Sequence, residues 1–198
     1  MGETHGLQTL LANPANPLGV EQFIGPLRFM YAFDCNINCV SLYTHLNVHQ
    51  MGTYKQIFYH IIFGTKNREA TILSDYEREL FKYIYGIINK KHCKLFRING
   101  MQDHLHIFSD LHPTVCLSDY IKDIKIASNG WMKDSGRFPD FKGWQDGYGA
   151  FSYSIKERDT IINYIKNQKE HHKTESFFDE YKRLLIENGI EFDDKYLL

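Results

Sequence analysis

The chain has 198 residues and a formal net charge of −1, with 43% hydrophobic and 15% aromatic residues. That length suits one domain with some excess, and the composition excludes a disordered chain. The balanced charge argues against a general coater of duplex DNA, so any nucleic-acid site must be local.

No apolar run reaches the roughly 18 to 20 residues that span a bilayer, and residues 1–30 lack the charged start and apolar run of a secretion signal. A cytoplasmic protein without membrane segments is expected, and Cys35, Cys39, Cys93 and Cys116 read as thiols. Charge is sparse in residues 1–50, where Glu3, Glu21, Arg28 and Asp34 stand alone, and the segment holds Pro14, Pro17 and Pro26 but no sustained periodicity. Residues 1–50 therefore read as a poorly structured extension, with Met51 an alternative start, and residues 51–198 as the functional domain. Cys35, Cys39, His45 and His49 are too closely spaced for a zinc finger.

Strong patterning follows Met51. "KQIFYHIIFGT" (55–65) predicts a largely buried strand. Ser74 with Glu77 has capping-box spacing, and Leu80, Phe81, Ile84, Ile87 and Ile88 form the apolar stripe of a helix closed by Lys90 and Lys91. "CKLFRI" (93–98) and "DHLHIFS" (103–109) flank Asn99-Gly100, a hairpin signal. After Pro113, Ser118 is the expected cap of a second helix carrying Ile121, Ile124, Ala127, Trp131 and Met132. "GWQDGYGAFSYS" (143–154) predicts a last strand, a helix from Ser154 to about His172 follows, and another runs from Ser176 to Gly189. The order β-α-β-β-α-β predicts an α+β, ferredoxin-like antiparallel sheet with two helices on one face and additional C-terminal helices.

His104 and His106 alternate on one strand, so both imidazoles leave the same face and can share a metal ion; two half-exposed sheet histidines would show the same spacing. Tyr164 and Gln168 lie one helical turn apart on one face, a pattern that also fits a tyrosine at a core edge beside a surface glutamine. Lys122, Lys125 and Lys133 follow the second helix, and Lys166, Lys169 and Lys173 follow the tyrosine helix, as local positive charge or as ordinary solvated faces. Trp131, Trp144, Phe151 and Tyr153 could stack on unpaired bases or belong to the core.

"DHLHIF" (103–108), followed some sixty residues later by "YIKNQ", resembles the single-tyrosine HUH transposases of bacterial insertion sequences, the TnpA-like enzymes that include relatives of REP-associated tyrosine transposases. The resemblance extends through "YKQIFYHIIFGTKNRE" (54–69), "LSDYIKDIKIASNGWM" (117–132), "GYGAFSYS" (147–154) and "NQKEHHKTESFFDEY" (167–181), and it does not reach residues 1–50. It implies that Tyr164 is the nucleophile, that His104, His106 and Gln168 hold the metal, and that Lys125 and Ser128 lie near DNA, with Lys122 and Lys169 adding charge. It also implies hairpin-ended single-stranded DNA as substrate and a homodimer in which the tyrosine helix serves the partner's site. His171 and His172 receive no role.

Two histidines and an amide oxygen leave a cation its full charge and open positions for phosphate oxygens, which suits Mg²⁺ or Mn²⁺. A phenol is a poor nucleophile until helped but a far better leaving group than an alkoxide, so a 5′-phosphotyrosine link is reversible. No phosphate-binding GxxxxGK[ST] loop is present, in keeping with strand transfer that needs no energy cofactor. The competing expectations are a replication or mobilisation nickase, a DNA-binding protein derived from a transposase that no longer cuts, and a metal phosphatase that would not need Tyr164.

Overall fold

The structure, a computed structural model, describes residues 54–197; the expectations for residues 1–50, including the Cys35, Cys39, His45 and His49 spacing, and for Met51 lie outside the described residues. Four strands form one antiparallel sheet: β1 (Phe58–Gly64), β2 (Lys94–Gly100), β3 (His104–Asp110) and β4 (Gly149–Tyr153), in the order β2-β3-β1-β4. Helices α1 (Glu77–Lys90) and α2 (Leu117–Asp134) stand between β1 and β2 and between β3 and β4. Three more helices follow: α3 (Arg158–Lys166), α4 (Gln168–His171) and α5 (Phe177–Glu187).

The central strands are buried on both faces, and the pleat divides their residues between two cores. Ile61, Phe63, Leu105 and Ile107 pack with Leu80, Ile84 and Ile88 of α1 and Tyr120, Ile121, Ile124 and Met132 of α2. From the other face, Ile62 and Phe151 meet Phe177, Leu184 and Leu185 of α5, while Phe58 and Phe108 meet Ile165 of α3. His60, His104 and His106 belong to this second face, since they alternate with Ile61, Leu105 and Ile107.

Several boundaries differ from the sequence expectation. Helix α1 begins at Glu77 rather than Ser74, because Glu77 does not reach back to make the capping box: its carboxylate takes Lys169 Nζ at 2.5 Å. Helix α2 starts beyond Cys116, and Ser118 falls inside the first turn; burying Tyr120, Ile121 and Ile124 sets that start. The Ser176 hydroxyl does cap α5, accepting the Asp179 N–H at 3.2 Å.

Asn99-Gly100 is not the hairpin turn. Both residues are paired in β2, opposite His106 and Leu105, and the connection is residues 101–103. The reason is the next difference, since the continuous helix expected from Ser154 to His172 is broken at Asn167. Asn99 Nδ2 donates to the carbonyls of Ile165 at 2.9 Å and Lys166 at 3.1 Å, the acceptors that another α-helical turn would need. Asn99 thus ends α3 and lets Gln168 start a new turn over the sheet. Asn99→Ala would leave those carbonyls unsatisfied, and we expect a loss of about 1–3 kcal/mol in urea denaturation.

Candidate functional site

The sheet face under α3, α4 and α5 carries the residues singled out in the sequence. Tyr164 on α3 stands edge-on to the His60 and His106 rings, with centroids 6.1 and 6.3 Å away. Its hydroxyl donates to Glu180 Oε1, and Gln168 Nε2 donates to the same oxygen at 2.8 Å. The other carboxylate oxygen, Oε2, lies 3.1 Å from His172 Nε2, 3.4 Å from His106 Nε2 and 3.9 Å from His104 Nε2. His104, His106, Tyr164 and Gln168 are therefore brought together, around a carboxylate the sequence reading did not single out.

Each histidine has its other ring nitrogen engaged. His104 Nδ1 donates to Asp103 Oδ1 at 2.7 Å, and His172 Nδ1 donates to the Glu175 carbonyl at 3.0 Å. His106 Nδ1 shares a hydrogen bond of 2.9 Å with His60 Nε2. A neutral ring that donates from Nδ1 presents a lone pair at Nε2. His104 Nε2, His106 Nε2, His172 Nε2, Gln168 Oε1 and Glu180 Oε2 are all buried without a hydrogen-bond partner. Acceptors facing acceptors in a buried space repel unless a positive charge lies among them. The ligand atoms of His104, His106, His172 and Glu180 all lie within 4.8 Å of one another, a spread that one metal ion can bridge.

The electrostatics agree. Burial pushes His104 down to about 4, so its imidazole is neutral at pH 7, and burial likewise lowers His60. Burial opposes the Glu180 charge, but the His106 and His172 rings placed against it and the Tyr164 hydroxyl outweigh burial and hold the carboxyl well below its usual range. Burial, then the neighbouring Glu180 charge, raises Tyr164 above the usual phenol value, while Arg183, whose Nη2 donates to the hydroxyl at 3.1 Å, pulls the other way. Arg183 is held by a two-point pair with Glu175, at 2.9 Å for each bond. Because the folded His104 value lies below the unfolded 6.5, the unfolded chain binds the extra proton between those values. Stability of the metal-free protein should therefore fall from pH 6.5 toward 4, by about 1 kcal/mol per pH unit, in urea titrations with EDTA.

The other expected residues sit elsewhere. Lys122 and Lys125 belong to α2, in the helical layer on the opposite side of the sheet from Tyr164. Lys125 Nζ is spent on the carbonyls of Gln145, Asp146 and Gly147 at 2.9, 3.3 and 2.7 Å, and burial brings it down to about 8. Ser128 is fully buried, donating to the Ile124 carbonyl and accepting from Trp144 Nε1 at 3.0 Å, so its hydroxyl serves the core. Lys122 pairs with Asp119, and Lys169 with Glu77, on the surface. Trp144 and Phe151 are core residues. Within the chain, α3 packs on β2 and β3, and the Tyr164 ring lies 6.3 Å from that of His106.

The residues missed by sequence reasoning are Glu180, His172, His60 and Asp103. Glu180 had a signal: it sits on the apolar stripe of α5 between Phe177 and Leu184, where an unpaired charge has no business. His60 faces away from Ile61 on the same side as Ile62, a polar residue in an otherwise apolar strand row.

A family model described as "Transposase IS200 like" matches residues 53–168. The transposase TnpA of ISDra2 from Deinococcus radiodurans is 24% identical over 124 residues, covering 59% of this chain and 87% of that protein. Among solved structures, a candidate transposase from Deinococcus radiodurans R1 matches with 25% identity and a TM-score of 0.48, over 59% of this chain and 94% of its own. A REP-associated tyrosine transposase bound to a REP hairpin matches with 16% identity and a TM-score of 0.47, over 62% and 74%. A buried histidine pair facing a tyrosine, on a four-stranded antiparallel sheet, is thus found in a chain that belongs to the IS200-like transposase family. Among the described residues, no helix is long and apolar enough to cross a membrane.

Proposed function

We propose that the protein cleaves and rejoins single-stranded DNA through a covalent 5′-phosphotyrosine at Tyr164, with a divalent cation held by His104, His106 and Gln168, on a ferredoxin-like β-α-β-β-α-β scaffold. The observation that carries this reading is the convergence of the Tyr164 hydroxyl, two oriented imidazoles and the Gln168 amide on one buried point. A bound Mg²⁺ or Mn²⁺ supplies positive charge for the scissile phosphate.

The remaining chemistry belongs to the chain. Tyr164 Oη attacks phosphorus, its proton passing to Glu180 Oε1, and the P–O3′ bond breaks with the 3′ oxygen taking a proton from solvent, so that a 3′-OH is freed and Glu180 releases the phenol proton to solvent. Arg183 Nη2 steadies negative charge on the phenol oxygen as the proton leaves and again when the link is reopened. Asp103 and His60 hold the His104 and His106 rings in the orientation that aims Nε2 at the site. Each chain assembles its own site in this scheme, a homodimer would keep two self-contained sites, and the reaction takes place in the cytoplasm on hairpin-bearing strands. Lys169, in α4, is the expected lysine closest in sequence to the site, and we assign it a contact with the DNA backbone.

Incubating the full chain with labelled hairpin-bearing single strands from the flanks of its own gene, with Mn²⁺, should produce a denaturation-resistant adduct that EDTA prevents. One observation favours a second reading, a DNA-binding protein that no longer cuts: His106, Gln168 and Glu180 are at 0% exposure, so a phosphate reaches them only if α4 and α5 shift. Retained binding with no adduct under any divalent cation would establish that reading instead.

A further inference from the structure

The family match ends at residue 168, yet half of the buried donor set comes from beyond it. We propose that His172 and Glu180, from the segment that follows the matched region, are themselves ligands, and that the chain builds a His104–His106–His172–Glu180 cation site, joined by Gln168, for a first-row transition ion such as Mn²⁺. This inference rests on the reading above that a divalent cation occupies the histidine pair.

The His172 Nδ1–H is committed to the Glu175 carbonyl, and the His104 Nδ1–H to Asp103. In neutral rings both Nε2 atoms are then acceptors, yet they face the Glu180 Oε2 acceptor at 3.1 and 3.9 Å, with Gln168 Oε1 also unpartnered. His106 Nε2, 3.4 Å from the same oxygen, makes no hydrogen bond either. A proton on His172 would satisfy Glu180 Oε2 but leave His104 Nε2, His106 Nε2 and Gln168 Oε1 unpartnered, whereas a cation satisfies all of them at once. The space is closed as well: Glu180 is fully buried and the His172 side chain is 6% exposed, so neither belongs to a solvated surface.

The sequence around these two residues is built to deliver them. Asn99 ends α3, so α4 turns His172 back toward β3, where its ring lies 4.7 Å from that of His104. Ser176 then caps α5, whose buried stripe of Phe177, Glu180, Leu184 and Leu185 lays the carboxylate against the histidines. Phe177 closes the side of the site, its ring 4.3 Å from His104, with the Arg68 guanidinium stacked on it at 3.3 Å.

Three imidazoles and one carboxylate differ in preference from two imidazoles and an amide. Nitrogen-rich sets favour Mn²⁺ and the later first-row ions over Mg²⁺, which prefers oxygen and retains water. The carboxylate also cancels one unit of the ion's charge and links it to the nucleophile, because Glu180 Oε1 carries the Tyr164 hydroxyl while Oε2 faces the histidines.

The test is Mn²⁺ binding by the full chain without DNA. Pulsed EPR of bound Mn²⁺, which counts coordinated imidazole nitrogens, should report three in the wild-type protein and two in His172→Asn. Calorimetric titration with MnCl₂ should show Glu180→Gln and His172→Asn each weakened by at least about 10-fold, since losing a direct ligand costs no less than losing the outer partner of one. A hundred-fold excess of MgCl₂ should not displace the ion. Two imidazoles in the wild-type spectrum, or unchanged affinity in both variants alongside loss in His106→Asn, would overturn the proposal while leaving the histidine-pair reading standing. Absence of any Mn²⁺ binding to the wild-type protein would overturn both.

Discussion

Tyr164→Phe is expected to eliminate the covalent protein–DNA adduct, lowering cleavage by at least about a thousand-fold, while leaving the fold and Mn²⁺ binding in place. The substitution removes a single atom, the hydroxyl oxygen that would bond to phosphorus. The ring remains to pack beside His60, His106 and His171, contacts that do not involve that oxygen. Glu180 Oε1 keeps its bond from Gln168 Nε2 at 2.8 Å, so the carboxylate is not left without a donor, and Arg183 keeps its two-point pair with Glu175. The stability cost should be about 2 kcal/mol, for the two hydrogen bonds lost, to Glu180 and from Arg183. Denaturing gel analysis of labelled hairpin strands checks the first part, and thermal melting with MnCl₂ titration checks the second. An adduct that persists would move the nucleophile elsewhere, and strand cleavage without an adduct would point to the metal-hydrolase chemistry set against the transposase above.

Much of the scaffold was legible because its signals are local. The alternation in "DHLHIF" put His104 and His106 on one face, and the stripe Leu80, Ile84, Ile88 predicted α1; both hold in the structure. The errors lie where a distant partner decides the local outcome. Asn99-Gly100 has turn chemistry, but the Asn99 amide is taken by two carbonyls from α3, sixty-six and sixty-seven residues further on. The same bonds end α3, so one long-range contact changed both the hairpin and the helix. Glu77 lost its capping role to Lys169 in the same way.

The site shows the same division. The motif residues could be aligned by spacing, whereas Glu180 and His172 reach the histidines only after α4 and α5 fold back over the sheet. Lys125 illustrates the converse: a lysine legible as available charge is consumed by three carbonyls of the loop before β4.

Two glycine substitutions should act in opposite directions and separate backbone necessity from helix propensity. A Cβ at Gly100 would sit 2.2 Å from the His104 carbonyl oxygen and 3.0 Å from Leu105 Cα, both main-chain atoms of the paired strand β3. No side-chain rotation relieves such a clash, so β2 must move away from β3 or slip against it. The first displaced residues would be His104 and its neighbour Leu105, and Asn99 would be pulled off the α3 carbonyls. Gly100→Ala should therefore cost about 3 kcal/mol or more in urea denaturation and weaken Mn²⁺ binding although it touches no ligand. At Gly86, exposed in the middle of α1, an added Cβ meets nothing within 4 Å. There Ala removes the entropic penalty of glycine in a helix, and Gly86→Ala should raise stability by up to about 1 kcal/mol with Mn²⁺ affinity unchanged. Equal effects at the two positions would contradict the close β2–β3 approach, and with it the strand geometry that aims His104 and His106 at the tyrosine.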